Sequence, residues 1–489
     1  MDRTLIGIDI GTTGLKSILV SEAGEILAHA YSGYALRAPS AGRCEQDAED
    51  WWRALVKTVR EVASGREESV AAISLSSQGG TLVPVDGDFR PVHPAIVWSD
   101  VRCEEQRRRF ASRFGEETMY QKSGWKLGRG LNALQIRWLG DNRPDVFKRA
   151  ALFLSVPDYI SLRMTGRAAV DPSNAGINQL TDIRRRAYDP AILDFVGIGE
   201  SRLAEIVPSG EPIGNLLPAV AGELGLPKAA LLVSGAHDQY AALLGAGITR
   251  AGEALIGTDT AWVIIALTDE PDFSSGFSQS VPAAGNWGSM VAISFGGVSL
   301  DWFRTSVASS EREGGIPYSE IDSVAAGRRP GANGLFFYPY FNGGAFPIRN
   351  PDCKAALLGL DLSHDRFDIA RAVMEGVAMQ AAWVLESFRQ KFPIPSLKLA
   401  GGASKSAPWT QMVADIADCT VRTLTVGDLA PVGAAVMAGA GGGVFPSLEA
   451  GAARIVVGER EFSPNPDRYS EHFQTFKRRA RALSELYRL

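Results

Sequence analysis

The chain opens on three short apolar runs. Leu5–Ile10, Ser17–Val20 and Ile26–Ala30 carry the β-branched, closely spaced apolar residues of strands. Gly11-Thr12-Thr13-Gly14 lies between the first two and predicts a tight turn joining them as a hairpin. The period then changes. From Asp47 to Val62 the apolar positions Trp51, Leu55, Val59 and Val62 fall at helical spacing, with Asp47 placed to cap the helix. Val70–Leu75 predicts a short buried strand, and Glu104–Phe114 and Leu131–Leu139 predict helices.

The pattern starts again at about residue 253. Ala254–Ile256, the turn Gly257-Thr258-Asp259-Thr260 and Ala261–Ile265 repeat the opening hairpin about 245 residues later. Arg366–Arg389 predicts a long helix, with Ile369, Val373, Val377 and Met379 at or near helical spacing. Two strands end at glycines. Ala230–Ser234 feeds Gly235 and then Asp238, and Leu397–Ala400 feeds Gly401-Gly402 ahead of a helix from Ala407 to Asp418. Ala430–Gly439 is small and apolar, which predicts a closely packed helix too short to cross a bilayer. Two similar hairpins in two halves predict duplicated α/β domains, 1–247 and 248–489, that face each other across a cleft.

Composition narrows the classes. A chain of 489 residues is long enough for two or three domains with a large core. A net charge of −5 argues against nonspecific binding to nucleic acid or an anionic membrane. The four cysteines form no C-x-x-C pair and the five histidines are scattered, so neither a disulfide framework nor a zinc site is expected. Reduced thiols, the absence of a signal-peptide pattern and the absence of a long apolar run give a cytoplasmic expectation.

The candidate chemistry lies in the turns. Glycines let backbone N–H groups approach a phosphate, threonines add hydroxyl donors, and Lys16 adds a positive charge. Asp9, at the end of its strand, can hold Mg²⁺ through water. The turn by itself also fits an ordinary hairpin, and no G-x-x-x-x-G-K-[ST] loop occurs in the chain. Asp238, at a strand end beside a helix start, can accept a hydroxyl proton in phosphoryl transfer, or can simply cap the helix. His237 reads as a packing or hydrogen-bonding residue.

Asp9–Lys16 resembles the first phosphate loop of the superfamily that holds sugar kinases, actin and the heat-shock chaperone ATPases. Over nearly its whole length the chain resembles the FGGY family of carbohydrate kinases, nearest the xylulokinase branch. Glu45-Gln46-Asp47 with Trp51-Trp52, Trp98-Ser99-Asp100-x-Arg102, Asp238, Gly257–Thr260, Gly401-Gly402 and Gly433-Ala434-Ala435 carry the likeness in order. The resemblance implies an α/β fold of two ribonuclease-H-like, actin/hexokinase-like domains, the first with the sugar-cleft wall and first phosphate loop, the second with the second phosphate loop and adenosine motif. It implies ATP and Mg²⁺ as cofactors and a small-molecule sugar as partner, with no nucleic acid and no membrane; a homodimer stays open. Asp238 is then the catalytic base. Gln78, Gly79, Gly80, Trp98, Asp100, Asp238 and Gln239 meet the substrate. Gly11, Thr12, Thr13, Lys16, Thr258, Asp259, Thr260, Gly401, Gly402 and Ser404 meet ATP, and Asp9 holds the metal.

One segment departs from the branch. Where xylulokinases carry Gly-Gln-Met-His-Gly, this chain has Ser77-Gln78-Gly79-Gly80-Thr81. The change removes a hydrogen-bonding ring and enlarges the pocket, or hands its role to backbone N–H groups. Glycerol kinases carry Arg-Glu there, so their polyol clamp is missing too, and Gln135 stands where relatives often carry Lys. The expected reaction is phosphorylation of a primary hydroxyl, with D-xylulose leading and another pentulose, a sugar alcohol or a related ketose nearly level. A non-kinase nucleotide switch in the actin or chaperone manner is the remote alternative.

Overall fold

The computed structural model describes residues 3–128, 130–308, 314–344, 346–455 and 459–488. The chain forms two compact units. The first holds 1–251, 267–289 and 428–456, and the second holds 252–266, 290–427 and 457–489. Two segments beyond the expected division at 247/248 therefore pack with the first unit.

In the first unit six strands lie in the order Pro212–Asn215, Leu231–His237, Val70–Ser77, Thr4–Ile10, Gly14–Ser21, Ile26–Gly33. The opening run is central because it is buried on both faces. It pairs antiparallel with its hairpin partner and parallel with Val70–Ser77. That register sets Asp9 level with Lys16 on one side and Ser76 on the other. Helix Ala48–Ala63 buries Trp51, Leu55, Val59 and Val62 as its spacing predicts, and the Glu49 N–H donates to the Asp47 carboxylate at 3.0 Å.

Helix Leu429–Gly441 explains its own small residues. A Cβ on Gly7 of the central strand would overlap Pro431 O, one on Gly433 would overlap Ala241 O, and one on Gly245 would overlap Leu429 O. The helix lies backbone to backbone against the first strand and against helix Asp238–Gly245, an approach only glycine permits. Its place is thus behind the Asp238 helix in the first unit.

The second unit repeats the pattern. Six strands of its seven-stranded sheet lie in the order Trp287–Ile293, Trp262–Thr268, Glu253–Thr258, Ser396–Ala400, Thr420–Leu424, Glu459–Phe462. Again the central hairpin is antiparallel, the next two pairings are parallel and the edge is antiparallel. Helix Arg366–Arg389, buried along most of its length, begins at the Asp365 capping box. Among the described residues no helix is long and apolar enough to cross a membrane.

Candidate active site

The acid at the end of strand Leu231–His237 is brought to the acid at the end of the first strand by sheet register. His237 is level with Ser77 and Ala236 with Ser76, while Ser76 is level with Asp9. The Ser76 hydroxyl donates to Asp9 Oδ1 at 2.8 Å. Burial and the nearby Asp238 charge push the Asp9 carboxyl up to about 6, against a smaller downward pull from Ser76 and Lys16. Asp238 does not cap its helix. His237 holds the N-cap position, and Asp238 Oδ1 is buried with no hydrogen-bond partner. Gln239 follows on the same turn, half-buried.

A closed set of hydrogen bonds fixes the first turn. Trp98 Nε1 donates to Thr12 Oγ1 at 3.1 Å, and Thr12 Oγ1 donates to Gln78 Oε1 at 3.1 Å. Gln78 Nε2 donates to Gln46 Oε1 at 3.0 Å, and Gln46 Nε2 returns to Thr12 O at 2.6 Å. The Thr12 hydroxyl, expected at phosphate, is therefore committed to Gln78 and Trp98. Thr13 is exposed at the tip of the turn, and the Gly11 N–H closes it on Gly14 O at 3.0 Å. Lys16, also expected at phosphate, forms an ion pair with Asp428.

Asp100 departs from its expected sugar contact. It is fully buried, and its oxygens accept from Arg102 Nε and Nη2 at 2.8 and 2.7 Å and from Cys44 N at 2.6 Å. Arg102 also donates to Glu45 at 2.7 Å, so the two motif segments 45–47 and 98–102 form one buried clasp that holds the half-exposed Trp98 over the turn.

Gly79 and Gly80 are glycines for different reasons. Gly80 has φ +74°, a left-handed conformation. Gly79 does not; a Cβ there would lie 2.6 Å from His237 Cδ2 and 2.8 Å from Ile177 Cγ2. The expected enlargement of the pocket is thus not what occurs at Gly79, where the His237 ring and Ile177 take up the room. Trp125, which carried no sequence signal, and His237, read from sequence as a packing or hydrogen-bonding residue, complete this region. Trp125 lies 6.0 Å from the His237 ring with its Nε1 buried and without a hydrogen bond, and His237 Nδ1 faces Asp238 Oδ1 at 3.3 Å without hydrogen-bond geometry. An aromatic in a loop looks like core until its neighbours are known.

In the second unit Thr258, Asp259, Thr260 and Gly402 line a cavity of about 430 Å³, of the size that holds a small ligand. The Thr258 hydroxyl, expected at phosphate, is buried; it donates to Ala400 O at 2.7 Å and accepts from Ala403 N at 3.1 Å. Asp259 Oδ1 accepts from Gly402 N at 3.2 Å. Gly401 has φ +96° and packs on Thr258 and Asp259, so the hairpin and the Gly-Gly junction form one structure. The Ser404 hydroxyl closes on Gly401 O at 2.7 Å, and Lys405 and Ser406 line the cavity instead. The sequence reading missed the far wall, where Asp301, Trp409 and, from one helix, Tyr318 and Asp322 converge from three helices. The Ser406 hydroxyl donates to Asp322 at 2.6 Å, and burial raises the Asp322 carboxyl above its ordinary range.

This pairing of two strand–turn–strand units matches known proteins along most of the chain. Residues 4–245 match the N-terminal domain of the FGGY family of carbohydrate kinases, and 254–441 match the C-terminal domain. The chain belongs to the FGGY family of carbohydrate kinases. Among FGGY relatives, a xylulose kinase of Bacillus subtilis (strain 168) is 30% identical over 97% of this chain and 96% of its own length. A gluconokinase of the same organism is 27% identical over 86% of this chain and 84% of its own. The crystal structure of a xylulose kinase from Rhodospirillum rubrum superposes with a TM-score of 0.92, at 25% identity and full coverage of both chains. The family membership gives this chain a carbohydrate kinase activity and sets aside the nucleotide switch.

Proposed function

We propose that this FGGY kinase transfers the terminal phosphoryl group of ATP to a primary hydroxyl of an open-chain polyhydroxy acceptor, with D-xylulose, giving xylulose 5-phosphate, the leading substrate. The observation that carries the reading is the buried Asp238 Oδ1 beside Asp9, which makes no hydrogen bond and has His237 Nδ1 3.3 Å away. An oxygen with no hydrogen bond to break is ready to accept a hydroxyl proton and to aim the oxygen left behind. The first unit supplies the acceptor end through Gln78, Trp98, Trp125 and His237. The second supplies the nucleotide end through its 258–260 turn and Gly402 junction. The turn 11–13, with Lys16, serves the phosphates from the first unit.

Asp9 fits a role at Mg²⁺. Burial first, and then the nearby Asp238 and Asp428 carboxylates, raise the cost of ionising Asp9, and a cation would offset it. No group of three or more His, Cys, Asp or Glu placed to hold a metal occurs among the described residues, so water and phosphate oxygens would complete the shell. The ion would neutralise phosphate charge.

D-gluconate is a second acceptor to consider, supported by the gluconokinase relatives at 27% identity. ADP release over a panel of ketoses, polyols and aldonates tests both. D-xylulose is expected to give the highest kcat/KM, and Asp238→Asn to lower that turnover by ~10²–10⁴-fold while nucleotide still binds. A panel with no acceptor turned over, or an Asp238→Asn enzyme within threefold of wild type, would overturn the reading.

A further inference from the structure

We infer that His237 binds the acceptor directly and reads the hydroxyl next to the one that is phosphorylated, in place of the side chains absent at positions 79 and 80. The inference rests on the kinase reading above and extends it to a residue outside the motifs that carried it. His237 ends strand Leu231–His237 and immediately precedes Asp238. Its ring is nearly enclosed, with Trp125 and Tyr240 each 6.0 Å away between ring centroids. The backbone fixes it in place, because its N–H donates to Ser173 Oγ at 2.8 Å.

Gly79 makes room for this ring. Its φ lies outside the left-handed region, so the contacts a Cβ would meet, not a left-handed turn, account for the glycine. A Cβ there would press on His237 Cδ2 at 2.6 Å and on Ile177. Gly79 and His237 therefore form a dependent pair, in which the missing side chain on one strand end is answered by an imidazole from the neighbouring one.

The polar atoms say what the ring meets. None of His237 Nδ1, Trp125 Nε1 and Asp238 Oδ1, all buried, makes a hydrogen bond, although Nδ1 and Oδ1 face each other as a His–Asp contact, and buried polar groups are ordinarily paired. The indole only donates, the carboxylate only accepts, and an imidazole nitrogen does either according to its tautomer. Adjacent hydroxyls, which donate and accept, satisfy such a set. Nδ1 stands 3.3 Å from Asp238 Oδ1, so a hydroxyl on the base has its neighbour within reach of the imidazole.

The test pairs a variant with a substrate change. D-xylulose and its 4-deoxy analogue, which lacks the hydroxyl vicinal to carbon 5, are compared on wild type, His237→Ala and His237→Asn. Wild type should prefer D-xylulose, and His237→Ala should reduce that preference at least fivefold, with acceptor KM raised and ATP KM within twofold. His237→Asn, whose amide can stand in for Nδ1, should recover part of the preference. Gly79→Ala should behave like His237→Ala, and the double variant should be no worse than either alone. A folded His237→Ala with the wild-type preference, or one that loses only kcat, overturns the inference and leaves the kinase reading intact. A wild type that phosphorylates no acceptor overturns the kinase reading itself. If neither His237 variant folds, imidazole ¹⁵N spectra of wild type decide: D-xylulose without nucleotide must shift an imidazole signal, and unmoved spectra overturn the inference.

Discussion

The Thr12 hydroxyl faces two ways, accepting from Trp98 and donating to Gln78. Thr12→Val keeps the shape and strands an indole N–H and an amide oxygen. A hydrogen bond is worth ~0.5–1.5 kcal/mol net, so acceptor KM should rise about two- to tenfold. Steady-state kinetics with each substrate varied in turn checks this. A rise confined to ATP KM would mean the hydroxyl leaves Gln78 when nucleotide binds. The same residue shows why side-chain roles are hard to read from a motif: Gly-Thr-Thr predicts a turn with donors, but the partners come from Gln46, Gln78 and Trp98, remote in sequence.

At the scale of elements, helix Asn132–Asn142 holds the segments around Gly80, Ile96 and Gly130 through one side chain. Gln135 is fully buried, and its Nε2 donates to Gly130 O at 2.7 Å, Ile96 O at 3.1 Å and Gly80 O at 3.2 Å. Two loops and a strand end share the two N–H hydrogens of one amide. Gln135→Leu leaves their carbonyls without that donor and should destabilise the protein by about 1–3 kcal/mol in urea unfolding. Gln135→Lys brings three donors to the same carbonyls and should cost less. Equal losses for Leu and Lys would show that shape, not donors, matters at this position. Here the sequence signal was the departure from the relatives' Lys, while its cause, a cage of backbone oxygens, exists only once the loops have met.

At the scale of the whole molecule, buried acids set part of the pH response. Asp158, enclosed in the capping box that starts helix Val156–Thr165, is pushed up to about 6, first by burial, against the bonds it accepts from Ser155. Its folded value lies above the ordinary carboxylate value, so the folded state keeps a proton that the unfolded chain gives up. The stability this acid contributes is present below about pH 4 and falls as pH rises to about 6. A displacement of this size is worth at most on the order of 3 kcal/mol. Thermal melts of wild type and Asp158→Asn should therefore diverge with pH, the Asn variant gaining on wild type between pH 4 and 7. A constant difference across that range would show that Asp158 titrates alike in both states. Asp9, raised first by burial as well, has the same sign.

The sequence by itself determined the two hairpins, the helices Glu104–Phe114 and Arg366–Arg389 to the residue, and the acid at a strand end, because each depends on neighbours within a few positions. Periodicity, caps and turn glycines are local quantities. Only the tertiary structure decided that segments 267–289 and 428–456 pack with the first unit, that Asp100 serves a buried clasp, that Thr258 locks its own loop, and that His237 fills the room beside Gly79. Each of these is a competition among distant groups for one donor, one acceptor or one volume. Its winner is set by the three-dimensional packing of chain segments far apart in sequence, which no short-range pattern encodes.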